Sequence, residues 1–137
     1  MKPVVMTMDV TGLTPQEFRR ILDEMVHRNP RSVPARIWQA RFCLATGQRE
    51  RAGAELDAAE KIDCQEADSL IALGRLLSNL SLQQRADAQF DKAERLAPSD
   101  PAVYLERAAV CLDQEDFAAG SGVIDRALAA LLGVLIV

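Results

Sequence analysis

A chain of 137 residues with 49% hydrophobic and 26% charged side chains has the size and composition of one soluble globular domain. Its formal net charge of -4 gives no general reason to seek a phosphate backbone or an anionic bilayer, so neither nucleic acid nor a membrane surface is expected as a partner. Aromatic residues are only 4%, Ala and Leu abound, and clean period-2 runs of Val, Ile, Thr and Tyr are missing, which leaves a sheet little to build on and predicts an all-α fold.

Residues 1 to 13 carry no helical period and are expected to be either disordered or an arm lying on the body. Lys2 is followed by Asp9 without a long apolar core, so no secretion signal is expected and the cytoplasm is the expected location. A helix start follows at residues 14 to 30. Thr14 and Glu17 have the capping-box spacing, Pro15 suits the first helical position, and Leu13 with Phe18 fits a hydrophobic staple. Phe18, Ile21, Leu22, Met25 and Val26 form one apolar stripe, and Pro30 stops the helix.

From residue 33 the chain repeats with a period of 34. The first block (33–66) places Ser32 as a cap and Ile37, Trp38, Ala40, Phe42, Cys43 and Leu44 on the inward side of a helix closed by Gly47. Ala52, Leu56, Ala59 and Ile62 mark its second helix, over about 49 to 62. The second block (67–100) repeats this with Leu70, Leu73, Gly74 and Leu77, then Ala86, Phe90, Ala93 and Leu96. Ser81 and Gln84 read as another capping box, and Pro98 as a terminator. In the third block (101–130), Tyr104, Leu105, Ala108 and Cys111 line one helix and Phe117, Gly120, Ile124 and Ala127 the next. Small residues recur as Ala40/Ala52, Gly74/Ala86 and Ala108/Gly120, which predicts close helix crossings with Leu56, Phe90 and Ile124 filling between hairpins. Phe18, Leu22, Met25 and Pro30 fall in phase with this register, so the first helix reads as a cap or half-repeat. Residues 131 to 137 form an apolar tail. The run from Ala127 to Val137 is too short to span a bilayer, and burial against the chain itself or a second copy is expected.

These residues resemble tetratricopeptide repeats, helix–turn–helix units with bulky, small and Pro positions at fixed places. The second block carries the fullest likeness, in Leu70, Leu73, Gly74, Leu77, Ala86, Phe90, Ala93 and Pro98. The first has Arg36 where a large apolar residue is usual and Cys64 where Pro is usual, and the third lacks Pro at residue 132. The resemblance implies a right-handed superhelical stack of antiparallel helix hairpins. It also implies a concave groove for a peptide or partner helix, lined by Ile37, Arg41 and Leu44, then Ile71, Arg75, Ser78 and Asn79, then Leu105, Ala109, Leu112 and Asp113. Arg41 and Arg75, one period apart, would make a basic ladder for an acidic or carboxylate-bearing segment. Members of the family that grip a C-terminal carboxylate use Lys, Asn and Arg, and Ile37, Ile71 and Glu106 depart from that set. An apolar or amphipathic segment fits better.

No catalytic, cofactor or metal site is expected. His27 is the only histidine, and Cys43, Cys64 and Cys111 lack a close pair or a histidine-bearing metal pattern. They read as free thiols in a reducing compartment, with Cys43 and Cys111 in one internal slot. Asp57 with Glu60, and Asp91 with Glu94, are spaced as carboxylate pairs, but beside Lys61 and Lys92 they read as solvated faces. The expected function is a non-enzymatic protein-interaction scaffold, adaptor or chaperone-like, that holds a protein or peptide partner. The alternatives are a subunit that assembles through residues 127 to 137, and a chaperone of a bacterial secretion system.

Overall fold

The computed structural model describes residues 13 to 136, and the side-chain surroundings as far as residue 133. Of the segment read as an arm, residues 1 to 12 lie outside the described residues. The described residues form seven helices in chain order: α1 Pro15–Arg28, α2 Val33–Ala45, α3 Arg49–Glu60, α4 Ala67–Asn79, α5 Gln83–Leu96, α6 Pro101–Asp113 and α7 Phe117–Ile136. Among the described residues there is no strand. The chain forms two compact units, one ending at Ala59 and one beginning at Glu60.

Local chemistry sets the helix starts. The Thr14 hydroxyl accepts from the Glu17 N–H at 3.1 Å while the Thr14 N–H donates to Glu17 Oε1 at 3.3 Å, the reciprocal capping box. Ser32 Oγ accepts from the Ala35 N–H at 3.2 Å, and Asp100 Oδ1 accepts from the Ala102 N–H at 3.0 Å ahead of Pro101.

The turns inside the three hairpins repeat in backbone geometry as well as in length. Gly47 (φ 79), Ser81 (φ 63) and Glu115 (φ 56) stand at successive intervals of one period, each in the left-handed region. In each turn the next residue's N–H reaches back to a first-helix carbonyl: Gln48 to Cys43 at 2.7 Å, Leu82 to Leu77 at 2.9 Å, Asp116 to Cys111 at 2.9 Å. Ser81 is therefore a helix-ending residue and not the cap expected of it. The N-cap of α5 is Leu82, without a side-chain hydrogen bond.

In the first unit the core holds Leu22, Val33, Ala35, Ile37, Ala40, Cys43, Ala52, Leu56 and Ala59. Phe18 of α1 stacks on Phe42 of α2, with ring centroids 5.5 Å apart. Ile21, Met25 and Trp38 are exposed, contrary to their assignment to inward stripes. Position 38 recurs as Ala72 and Glu106, neither of them buried, so the slot itself faces outward.

In the second unit Leu70, Ile71, Leu73, Leu77, Ala86, Phe90 and Ala93 fill the α4/α5 hairpin. Gly74 shows why the small residues recur. A Cβ built there would lie 2.9 Å from both Cε1 and Cζ of Phe90, so the ring occupies the space that a side chain would need. The α6/α7 hairpin is built likewise on Tyr104, Ala108, Val123 and Ala127, with Cys111 packed against them. A Cβ on Gly120 would sit 3.3 Å from the Cβ of Cys111. The Tyr104 hydroxyl donates to the Pro98 carbonyl at 2.8 Å.

Candidate functional site

The structure divides the residues assigned to a groove. In the first unit Ile37 is buried, Leu44 half-buried, and Arg41 exposed with its guanidinium carbon 4.7 Å from the Trp38 ring centroid. In the second unit Ile71 and Ser78 are buried, while Asn79, Leu105, Ala109, Leu112 and Asp113 are exposed. Arg75 is ion-paired with Glu106 of α6. The Ser78 hydroxyl donates to Gln83 Oε1 at 3.3 Å, and its carbonyl accepts from Gln114 Nε2 at 3.3 Å. Ile71, Arg75 and Ser78 thus form the row of α4 across which α6 packs. The cation of Arg75 already has a carboxylate there, and that of Arg41 already has an aromatic face.

A second row, on α5, is covered by the same hairpin. Arg107 of α6 reaches Asp87 at 3.5 Å, Asp91 at 2.9 Å and Glu94 at 2.5 Å, with its guanidinium carbon 5.4 Å from the Phe90 ring centroid. Arg126 of α7 makes two parallel contacts to the Glu94 carboxylate, each 3.1 Å. Burial pushes the Glu94 carboxyl up. The hydrogen bonds from Arg126 and Arg107 outweigh that and hold it below the usual carboxylate range. Burial likewise works against the Arg107 cation, and the bonds to Glu94 and Asp91 overcome it.

Reading Asp91 and Glu94 as a solvated pair misplaced Glu94, whose side chain is largely covered. Glu60, its partner by analogy in the preceding block, is likewise held by Arg85. The sequence did contain a signal for Arg107, because it stands one period after the fully buried Leu73 and two periods after the buried Gln39. Gln39 also donates through Nε2 to Asp23, and Asp23 stands two periods before Asp91. The Asp23–Gln39 pair and the Asp91–Arg107 pair are one interaction used twice. By that measure α1 stands to α2 as α5 stands to α6.

These two covered rows have counterparts that are open. One period after Ile71 (5% exposed), Ser78 (3%) and Phe90 (1%) come Leu105 (57%), Leu112 (60%) and Ile124 (38%). One period after Glu94, whose side chain is 14% exposed, comes Leu128 at 54%. Leu132, one helical turn further along α7, is exposed too. The expectation that Leu105 and Ile124 line the interior is corrected accordingly. Their slots are interior ones only where another hairpin lies over them. Phe117 is also exposed, and its counterparts Gln83 and Arg49 are exposed polar residues.

His27 borders a recess of about 480 Å³ in the first unit together with Asp23, Arg36, Gln39, Arg51 and Glu55. Its carboxylates are engaged, Glu55 by Arg36 at 2.8 Å and Asp23 by Arg51 at 2.7 Å. Among the described residues no group of three His, Cys, Asp or Glu side chains is placed to hold a metal ion. Nor is any described helix long and apolar enough to cross a membrane. The three cysteines are free thiols. Burial pushes the Cys43 and Cys111 thiols up, with the Asp116 charge adding to it at Cys111, so both are poor nucleophiles. No protein-family model matches the chain, and no curated protein matches it in sequence.

Proposed function

We propose that this chain is a non-enzymatic protein–protein interaction scaffold, a short array of tetratricopeptide-like helical hairpins that takes a partner's helices. The observation that carries this reading is the open end face of α6 and α7: Leu105, Leu112, Ile124 and Leu128 are exposed where their counterparts one period earlier lie under a hairpin. Burying four such side chains would contribute about 1.5 to 3 kcal/mol each at full burial, before the cost of association is subtracted. Leu105, Ala109 and Leu112 follow the i, i+4, i+7 spacing along α6 that receives a partner helix. Arg41 and Arg75 do not carry recognition in this reading, because an intramolecular contact holds each of them.

The test is photo-crosslinking in native lysate, with a photoreactive phenylalanine analogue replacing either Leu112 or the exposed Ala88 of α5. A discrete protein adduct is expected from position 112 and none from position 88. Equal labelling from both positions, or no adduct from either, would remove the reading.

A further inference from the structure

We infer that the α6/α7 end face pairs with the same face of a second copy of this chain, giving a two-fold dimer. This rests on the scaffold reading and names the partner that the open face takes.

The internal repetition shows what kind of object fits. In the second unit the face made by Ile71, Ser78, Phe90 and Glu94 is covered by α6, with Arg126 of α7 reaching across to Glu94. The complement of the corresponding face one period later is again a helix presented by a hairpin. Charge then separates one helical pair from another. The covered face is acidic, with Asp87, Asp91 and Glu94, and the hairpin lying on it supplies Arg107 and Arg126. On the open face the same places hold Ser121, Asp125 and Leu128, and Arg75 is replaced by Ala109. A basic hairpin would find one carboxylate there, Asp125, in place of three, and a cation buried without a partner costs more than apolar contact returns. An apolar helical pair has no such problem, and the α6/α7 face is itself an apolar helical pair. A lipid surface is a poorer match, since α7 carries one Asp and one Arg and offers no basic rim to anionic headgroups.

The spacing along α7 is also self-complementary. Ile124, Leu128 and Leu132 lie on one ridge at intervals of four, all exposed. Two such helices crossing antiparallel with Leu128 on the symmetry axis set Ile124 of one copy against Leu132 of the other, and Leu128 against itself. Every contact then occurs twice, as an isologous interface requires.

The experiment is the mass of the purified full-length chain in solution by light scattering, for wild type, Leu128→Glu and the exposed α5 control Ala88→Glu. The mass of two chains is expected for wild type and the control, and of one chain for Leu128→Glu with its helical circular dichroism unchanged. Leu128→Cys supplies an independent reading, because a residue on the two-fold axis forms a disulfide with its own counterpart. Oxidation should convert that variant to a covalent dimer, while the wild-type chain, as control for the three natural cysteines, stays single. A wild-type mass of one chain, an assembly larger than two, or a dimer that withstands Leu128→Glu would each overturn the inference. A one-chain mass with a discrete adduct from position 112 would leave the scaffold reading standing and remove self-pairing alone. A one-chain mass without that adduct would remove both.

Discussion

Ile71 and Leu105 occupy one slot, 34 residues apart, and one is buried while the other faces solvent. The α4/α5 and α6/α7 hairpins share their turn geometry, their small residue at the close crossing and the apolar slots Leu70/Tyr104, Ile71/Leu105 and Phe90/Ile124. They differ in what lies over them. Burial in a repeated fold therefore belongs to the slot and its neighbour together, and the residue type alone does not determine it. The chemistry has followed the covering. Where α6 lies on α5 the face is acidic and met by Arg107 and by Arg126 of α7, and where the face is open its acids have been reduced to Asp125.

The largest contrast should come from truncating the two residues of one slot. Phe90→Ala removes a fully buried ring and should cost about 3 to 5 kcal/mol in chemical denaturation. Ile124→Ala should cost about 1 kcal/mol when measured in a Leu128→Glu background, which keeps association out of the comparison. Similar losses at both positions would show that the end face is not open. Next in size is Arg107→Ala, which strips Asp91 of its partner and leaves Glu94 to Arg126 alone. A loss of about 2 to 3 kcal/mol is expected by urea unfolding.

The pH dependence of stability sharpens the same point. Glu94 has its folded pKa held below the unfolded value of 4.5, so it contributes stability that is fully present above that value. The contribution is lost as the pH falls through the lower folded pKa. Glu94→Gln should flatten the acid limb of the stability curve, whereas Asp125→Asn, on the open face, should leave its slope unchanged. The smallest effects are expected in the turns. Ser81 and Glu115 adopt the left-handed conformation that Gly47 adopts without strain. Ser81→Gly and Glu115→Gly should each raise stability by about 1 kcal/mol, read as a shift in the urea midpoint.

The helical class, the period of 34 and the buried small residues were legible in the sequence, because helix capping and side-chain size act locally. Thr14, Ser32, Gly47 and Gly74 each do what their types imply. Ser81 misled because a serine three residues before a glutamine has the capping-box spacing whether or not its backbone can cap. Only the register with Gly47 reveals its part in the turn. The residues assigned to the groove divide for a different reason. Spacing locates Ile71, Arg75 and Ser78 on one row of α4, but spacing does not say which neighbour that row meets. Arg107 was missed because an arginine in an apolar slot reads as surface until the carboxylates of α5 are brought beside it.

The close helix crossing can be tested directly by a double-mutant cycle of Gly74→Ala and Phe90→Leu, measured by urea unfolding. With the Phe90 ring in the space that the new methyl needs, Gly74→Ala alone should lower stability by about 1 kcal/mol or more, despite alanine's better helix propensity. The loss should shrink or reverse once leucine replaces the ring. A Gly74→Ala variant more stable than wild type in both backgrounds would mean that the crossing is not close, and the packing described for the repeated hairpins would be wrong.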